Sequence, residues 1–198
     1  DFDGSDIGWL HTVREIPVFF AIGVSALIMF IREQVLGLVS LIMLGAATAV
    51  TAQFPQMGGI LAVTMLSSIG FHYYETVNQS LQLQWIDKKK APQTLGGILS
   101  AGSAATVLGY LLIVLTWDRL GLTYSIVYRL SGGFTAVVAT LCLLAYPQFE
   151  APHPQVKKMV LRKRYWLYYA LQFMSCARRQ IFVVFAGFMM VEQFGFAV

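Results

Sequence analysis

The chain has 198 residues, of which 57% are hydrophobic and only 12% charged, and its mean hydropathy is +0.65. Soluble domains carry about 25% charged residues, so this composition excludes an ordinary soluble domain and is typical of a membrane protein. The net charge of +4 lies in a few clusters of Lys and Arg, a pattern that indicates orientation in a membrane rather than nucleic-acid binding.

Six stretches are long and apolar enough to cross a bilayer, which requires about 20 residues of helix. They are predicted at Ile7–Ile31, Leu36–Ala52, Gly59–Trp85, Thr94–Trp117, Leu122–Tyr146 and Tyr165–Phe194. Pro17 predicts a kink in the first span. The fold class expected is therefore an all-α membrane protein, a polytopic helical bundle.

The distribution of Lys and Arg predicts the orientation of these spans. Alternate loops contain nine cations: Arg32, Lys88, Lys89, Lys90, Lys157, Lys158, Arg162, Lys163 and Arg164. The opposite loops contain Arg119, and Arg14 if it lies outside the membrane. By the positive-inside rule the side with nine cations is cytoplasmic, and both ends of the chain face outward. An outward amino end favours one further span before Asp1, so we expect the six spans to be the second to seventh of a longer protein.

The segment FIREQVLG follows the first span, and the fourth span contains the glycine-rich segment GGILSAGSAATVLGY. The topology, the loop lengths and the long segment Pro147–Arg164 resemble the major facilitator superfamily, whose twelve helices form two halves joined by a cytoplasmic loop. Of the family loop G-x-L-A-D-R-x-G-R-K only Arg32 and Gly37 are matched, and the glycine-rich fourth span lacks the proline of the antiporter motif. The resemblance implies an N-terminal half at residues 1–146, a central loop at 147–164 and the first helix of the second half at 165–198.

Polar residues in the third span recur at intervals of three and four, so they share one helix face: Ser68, His72, Glu75, Gln79 and Gln82. A carboxylate at the centre of a span costs about 2.5–3.5 kcal/mol, so Glu75 should face protein or a water-filled cavity. Glu75 is the candidate for a proton-coupling group, with His72 as its relay. Alternatively, the two residues form a fixed polar contact between helices. Asn78 and Gln79 are either donors to a substrate or contacts between helices.

Four arginines in or near the spans are candidates for binding an anionic group: Arg14, Arg129, Arg178 and Arg179. The guanidinium presents a planar set of donors that matches a carboxylate or phosphate. For the pair in the sixth span, two alternatives remain: an ion pair with a carboxylate on another helix, and a break in the helix near Ser175 that brings the pair to the surface.

Small residues crowd the fourth span, and Ser131, Gly132, Gly133 and Ala136 crowd the fifth, which predicts close helix packing or a sliding contact. Cys142 and Cys176 are expected to be packed thiols. No H-E-x-x-H or G-x-S-x-G motif is present, so an enzyme is disfavoured and no cofactor is expected.

The sequence therefore predicts a secondary active transporter in the bacterial cytoplasmic membrane. It would move a small, preferentially anionic solute by alternating access, with protons as coupling ion and the lipid bilayer as its surroundings. A non-transporting receptor or assembly subunit, or a membrane-embedded enzyme, is the alternative.

Overall fold

The computed structural model describes residues 4–20, 22–28, 30–149, 162–175 and 189, and within these ranges the chain forms helices and turns without a strand. The helices are α1 (Gly4–Phe19), α2 (Ile22–Leu27), α3 (Glu33–Val50), α4 (Met57–Trp85), α5 (Ala91–Thr116) and α6 (Tyr124–Ala145). Short 3-10 turns occur at Thr51–Gln53 and Lys163–Tyr165, and residues 166–175 are helical. One compact unit comprises Val13–Lys157, and a second comprises Asp1–Thr12 with Lys158–Val198.

Three of the described helices are long and apolar enough to cross a membrane. They are α3 with the turn that follows it (Glu33–Gln53), α5 and α6. Although α4 has 29 residues, the polar side chains of its sequence interrupt the apolar pattern, and it is not among the three. The all-helical class agrees with the sequence prediction. The three candidate spans correspond to the second, fourth and fifth predicted spans, whereas the first and third predicted spans are not among them.

The stretch predicted as a first single span is divided in two. α1 continues through Pro17 to Phe19, and α2 starts at Ile22. At the break the amide of Phe20 donates to the Pro17 carbonyl at 3.0 Å, and the amide of Gly23 donates to the Phe20 carbonyl at 2.7 Å. These bonds span three residues, so the chain tightens into a turn instead of continuing the α-helical pattern. In place of the kink predicted at Pro17, α1 therefore ends at Phe19, two residues later.

α3 lies at the centre of the larger unit, packed against α4 on one side and α6 on the other. Its contact with α4 is antiparallel, since Gly37 lies opposite Val77 and Ser40 lies opposite Gly70. A methyl group added to Gly70 would meet the Ser40 carbonyl oxygen at 2.7 Å, closer than Cβ atoms approach other atoms in proteins. Glycine is therefore required there for the two backbones to touch.

The contact between α3 and α6 has the same character. Gly45 and Ala49 of α3 face Gly132 and Ala136 of α6, and a methyl group on Gly45 would meet the Ala136 amide nitrogen at 2.6 Å. Both helices thus present small residues four positions apart, the spacing that places them on one face. The prediction of close packing at Gly132 and Ala136 is confirmed, whereas the partner residues on α3 were not identified from the sequence.

α5 differs from its neighbours because almost every residue in it is exposed; only Ala91, Ile113 and Thr116 are partly covered. Its glycines, at positions 96, 97, 102 and 109, have no atom within 4 Å of an added methyl group. The close packing predicted for this span is therefore not observed within the described part of the chain.

Candidate functional site

The polar residues of α4 lie on two opposite faces of the helix. Gly70, Val77, Ser80 and Gln84 are on the face that contacts α3, and the stripe predicted from the sequence lies on the reverse. Of that stripe Ser68 is buried, His72 is partly buried, and Glu75 and Gln79 are exposed. The stripe therefore remains accessible to groups on other elements.

His72 and Glu75 interact with each other and with the charged end of α1. The imidazole Nδ1 of His72 lies 4.0 Å from the Glu75 carboxylate, and Arg14 Nε lies 3.9 Å from the carboxylate of Glu15. The charges of Glu15, Glu75 and Arg14 all act on the imidazole. The structure thus brings three of the predicted candidates, Arg14, His72 and Glu75, into one electrostatic cluster, and it adds Glu15.

A buried hydrogen bond places Arg14 at this position. The Ser68 hydroxyl, on a residue only 4% exposed, donates to the backbone carbonyl of Arg14. Pro17 has no amide hydrogen, so the carbonyl four residues before it, that of Val13, loses its helical donor and the proline ring displaces the local backbone. The Ser68 hydroxyl of α4 donates to the next carbonyl along this disturbed turn, that of Arg14. One turn along α4, the Tyr73 hydroxyl donates to the Phe20 carbonyl at 3.4 Å.

Beside this contact lies a cavity of about 270 Å³. It is lined by Arg14, Leu44, Ser67, Ser68 and Phe71. The Ser67 hydroxyl donates to the Thr64 carbonyl at 2.9 Å, which leaves its oxygen free to accept a further hydrogen bond. The cavity therefore combines an arginine and two serines with the apolar residues Leu44 and Phe71, residue types that suit a small anion with an apolar body.

A second cavity, of about 590 Å³, separates α4 from α5. On the α4 side its polar lining is Asn78 and Gln82, and on the α5 side it is Ser103 and Thr106. These groups are neutral and can donate or accept hydrogen bonds. Asn78 lines this cavity and Arg14, on α1, lines the first one. The predicted site residues are therefore divided between two cavities that both border α4.

The other predicted candidates are elsewhere. Gln79 is exposed and lines neither cavity, and Arg129 is exposed on α6. Arg178 and Arg179 lie outside the described residues, as does Cys176. Among the described residues, no group of three or more His, Cys, Asp and Glu side chains is arranged to hold a metal ion.

A buried polar network at the start of α3 was not predicted from the sequence. Glu33, which lies between the first and second predicted spans, is only 7% exposed and accepts hydrogen bonds from Ser80 Oγ at 3.1 Å and Gln84 Nε2 at 2.6 Å. Next to it, the Gln34 side chain both donates to the Phe149 carbonyl and accepts from the Phe149 amide, at 2.9 and 3.1 Å. The sequence contained one signal of this network: the spacing of Ser80 and Gln84 places them on the same helix face as Val77, which is buried.

Comparison with known proteins identified no matching family model, no matching curated protein and no matching solved structure.

Proposed function

We propose that this chain is the membrane-embedded part of a secondary active transporter, similar in plan to the major facilitator superfamily, that moves a small anionic solute by alternating access with protons as the coupling ion. The observation that carries the proposal is the cluster of Arg14, Glu15, His72 and Glu75, placed beside a cavity at the middle of the longest helix. Charged residues within a membrane bundle are costly, and they commonly mark a substrate or proton pathway.

Arg14 is the anion-binding group in this proposal. Arg14 lines the cavity, its backbone carbonyl accepts a hydrogen bond from Ser68, and its contact with Glu15 is long at 3.9 Å. A solute carboxylate offers two oxygens to the guanidinium and can replace that weak contact with shorter, charge-assisted hydrogen bonds. Phe71 and Leu44 then cover the apolar body of the solute.

Glu75 and His72 are the proton-binding pair. The two groups are 4.0 Å apart on one face of α4, and both side chains are of types that can bind and release a proton. Protonation of Glu75 removes a negative charge next to the cavity and so favours the arrival of an anion. This linkage gives co-transport of a proton with the solute.

The polar path continues along α4 beyond this pair. Asn78 and Gln82 follow His72 by six and ten residues, or about 9 and 15 Å at 1.5 Å per residue. They line the larger cavity beside α5, a helix that almost nothing in the described structure covers. A charged binding position followed by a neutral polar path is what a solute requires to leave toward the side that the nine Lys and Arg residues mark as cytoplasmic.

The test is uptake of a panel of small organic anions by the full-length protein in liposomes with an imposed proton gradient. Arg14→Gln is expected to reduce uptake at least tenfold, since it removes a charge-assisted contact of about 1.5–3 kcal/mol. The matched control is Arg119→Gln, which makes the same change in the exposed turn between α5 and α6. Glu75→Gln should retain binding and lose the dependence on the gradient.

Absence of flux under every gradient, with the protein folded and inserted, would reject transport and favour a receptor or assembly subunit. An equal loss of uptake in the Arg14→Gln and Arg119→Gln variants would reject Arg14 as the anion-binding group, but it would not reject the proposal that the protein is a transporter.

A further inference from the structure

Three elements meet at one end of the larger unit: the start of α3, the end of α4 and the chain that follows α6. Glu33 accepts a hydrogen bond from Gln84 Nε2 at 2.6 Å, which joins the first two elements. Gln34 forms two hydrogen bonds with the backbone of Phe149, and the ring of Phe149 packs edge to face on Trp85 at 5.9 Å. Residues that are far apart in the sequence therefore share this end of the unit.

The surface of this end is rich in cations. Arg32 precedes α3, Lys88, Lys89 and Lys90 form the turn after α4, and all four residues are exposed. No ion pair among the described side chains includes any of these four residues. The Asp87 carboxylate accepts a hydrogen bond from the Lys89 amide at 3.1 Å, so it stabilises the backbone of the turn. The four cations therefore remain available to an external anion.

The carboxylates at this end do not balance its positive charge. On α3, α4 and the turn between α4 and α5, they are Glu33, which is only 7% exposed, and Asp87. Four cations against these two carboxylates leave a net charge of +2. The segment 150–164, which continues from Phe149, contains one Glu and five Lys and Arg residues, so its sequence adds further positive charge.

Exposed aromatic rings accompany these cations. Trp85 is 46% exposed, Phe149 is 56% exposed and Tyr146 is 65% exposed. Trp and Tyr combine an apolar ring with a polar group, and they concentrate at the headgroup level of a bilayer. The three lysines follow Trp85 by three to five residues, so a bilayer that places this ring at its interface places the lysines among the lipid phosphates.

The turn between α5 and α6 contains a similar aromatic pair without the net charge. The rings of Trp117 and Tyr124 pack edge to face at 5.2 Å. The charged residues between them are Asp118 and Arg119, whose charges cancel. The 26 residues of α5 separate this turn from the lysine turn. The two turns therefore share an interfacial aromatic residue, but only the lysine turn carries an excess of positive charge.

We propose that residues 88–90, together with Arg32, form a binding surface for the phosphate headgroups of anionic phospholipids. Each lysine ammonium donates charge-assisted hydrogen bonds to phosphate oxygens, and the ring of Trp85 lies at the level of the headgroups. A Lys or Arg near an anionic membrane surface strengthens association about fivefold. The inference requires the membrane insertion that the proposed function includes, but it does not require transport.

The experiment is quenching of tryptophan fluorescence by brominated lipids in the full-length protein, reconstituted into phosphatidylcholine vesicles. Two single-tryptophan variants retain either Trp85 or Trp117, and their other tryptophans are replaced by phenylalanine. Brominated phosphatidylglycerol should associate with the Trp85 reporter at least about fivefold more strongly than brominated phosphatidylcholine. The Trp117 reporter should not distinguish the two lipids.

Replacement of all three lysines tests the source of this preference. The combined variant Lys88→Gln, Lys89→Gln and Lys90→Gln removes the charges, and the preference at Trp85 should then fall to between about one and two. Arg119→Gln, the matched control in the other turn, should leave the preference at Trp85 unchanged. An increase in salt from about 0.05 to about 0.5 M should weaken the preference, because salt screens exposed charges.

Absence of a phosphatidylglycerol preference at Trp85, an equal preference at Trp117, or a preference at Trp85 that survives the lysine replacements would each overturn the proposal. If the single-tryptophan variants do not fold, the phosphatidylglycerol retained through detergent purification is counted by mass spectrometry instead. The wild type should retain more of this lipid than the lysine variant, and equal retention would refute the lipid site.

The same data separate the lipid site from the proposed function. Brominated phosphatidylcholine that quenches neither reporter would refute membrane insertion and with it both proposals. Quenching of both reporters without a preference for phosphatidylglycerol would refute the lipid site alone. A preference at Trp85 in a protein that shows no solute flux would refute transport and leave the lipid site in place.

Discussion

Replacement by alanine should have different effects on the stability of the protein at two adjacent glycines of α6, Gly132 and Gly133. A methyl group on Gly132 would lie 2.8 Å from Ala49 Cα and 2.5 Å from the Gly45 carbonyl oxygen, whereas one on Gly133 would have no atom within 4 Å. The atoms met by Gly132 belong to the backbone of α3 and cannot rotate away. To reach an ordinary contact of about 3.4 Å the helices must separate by nearly 1 Å along most of their shared face.

We expect Gly132→Ala to reduce the free energy of unfolding by about 3 kcal/mol, the upper part of the range for overpacking a rigid contact. Gly133→Ala should leave it unchanged or raise it by up to about 1 kcal/mol, because alanine favours the helix over glycine. For a chain of this size the first change corresponds to a decrease in Tm of about 6–12 °C. Thermal unfolding of both variants in the same detergent measures this. Equal Tm values for the two variants would show that α3 and α6 do not pack through Gly132.

Three further substitutions test other contacts in the larger unit. Ser68→Ala leaves the Arg14 carbonyl without its buried donor and should reduce the free energy of unfolding by about 1–2 kcal/mol. Solute uptake by this variant should require a higher solute concentration. Normal uptake would show that Arg14 is positioned by other contacts. Gln34→Leu removes both hydrogen bonds to Phe149 and should lower Tm by about 2–6 °C, so an unchanged Tm would mean that the two bonds are replaced by water. Val77→Ala opens a space in the core between α2, α3 and α4 and should reduce the free energy of unfolding by about 2 kcal/mol, as measured by chemical denaturation.

The positions of the helices could be predicted from the sequence because hydrophobic stretches and turn residues are local signals. α5 and α6 lie within two or three residues of the predicted fourth and fifth spans, and α4 ends at Trp85 as predicted. The first span was less accurate. Pro17 indicated a disturbance, but the division into α1 and α2 depends on the turn at Phe20 and on Tyr73, which reaches that turn from another helix.

The candidate site was predicted in part. Spacing alone placed His72 and Glu75 on one face of α4, and their interaction confirms that this face is shared. Spacing could not show that Arg14 belongs with them, because the contact between Ser68 and Arg14 joins residues that are 54 positions apart. Glu33 was overlooked for the same reason. It lies next to Arg32 between two predicted spans, and only the packing of α4 over the start of α3 buries it.

The sequence by itself determined that the chain is helical and apolar and which faces of its helices are polar. Each of these properties depends on residues close together in the chain, through hydrophobicity and a period of 3.6. Of the six spans predicted, three correspond to described helices that are long and apolar enough to cross a membrane. The tertiary structure decided which faces meet. Gly132 and Gly133 are the same residue type in adjacent positions, yet only Gly132 touches another backbone. Helix pairing is selected by the fit of distant surfaces, so it is a property of the packed molecule that no local pattern contains.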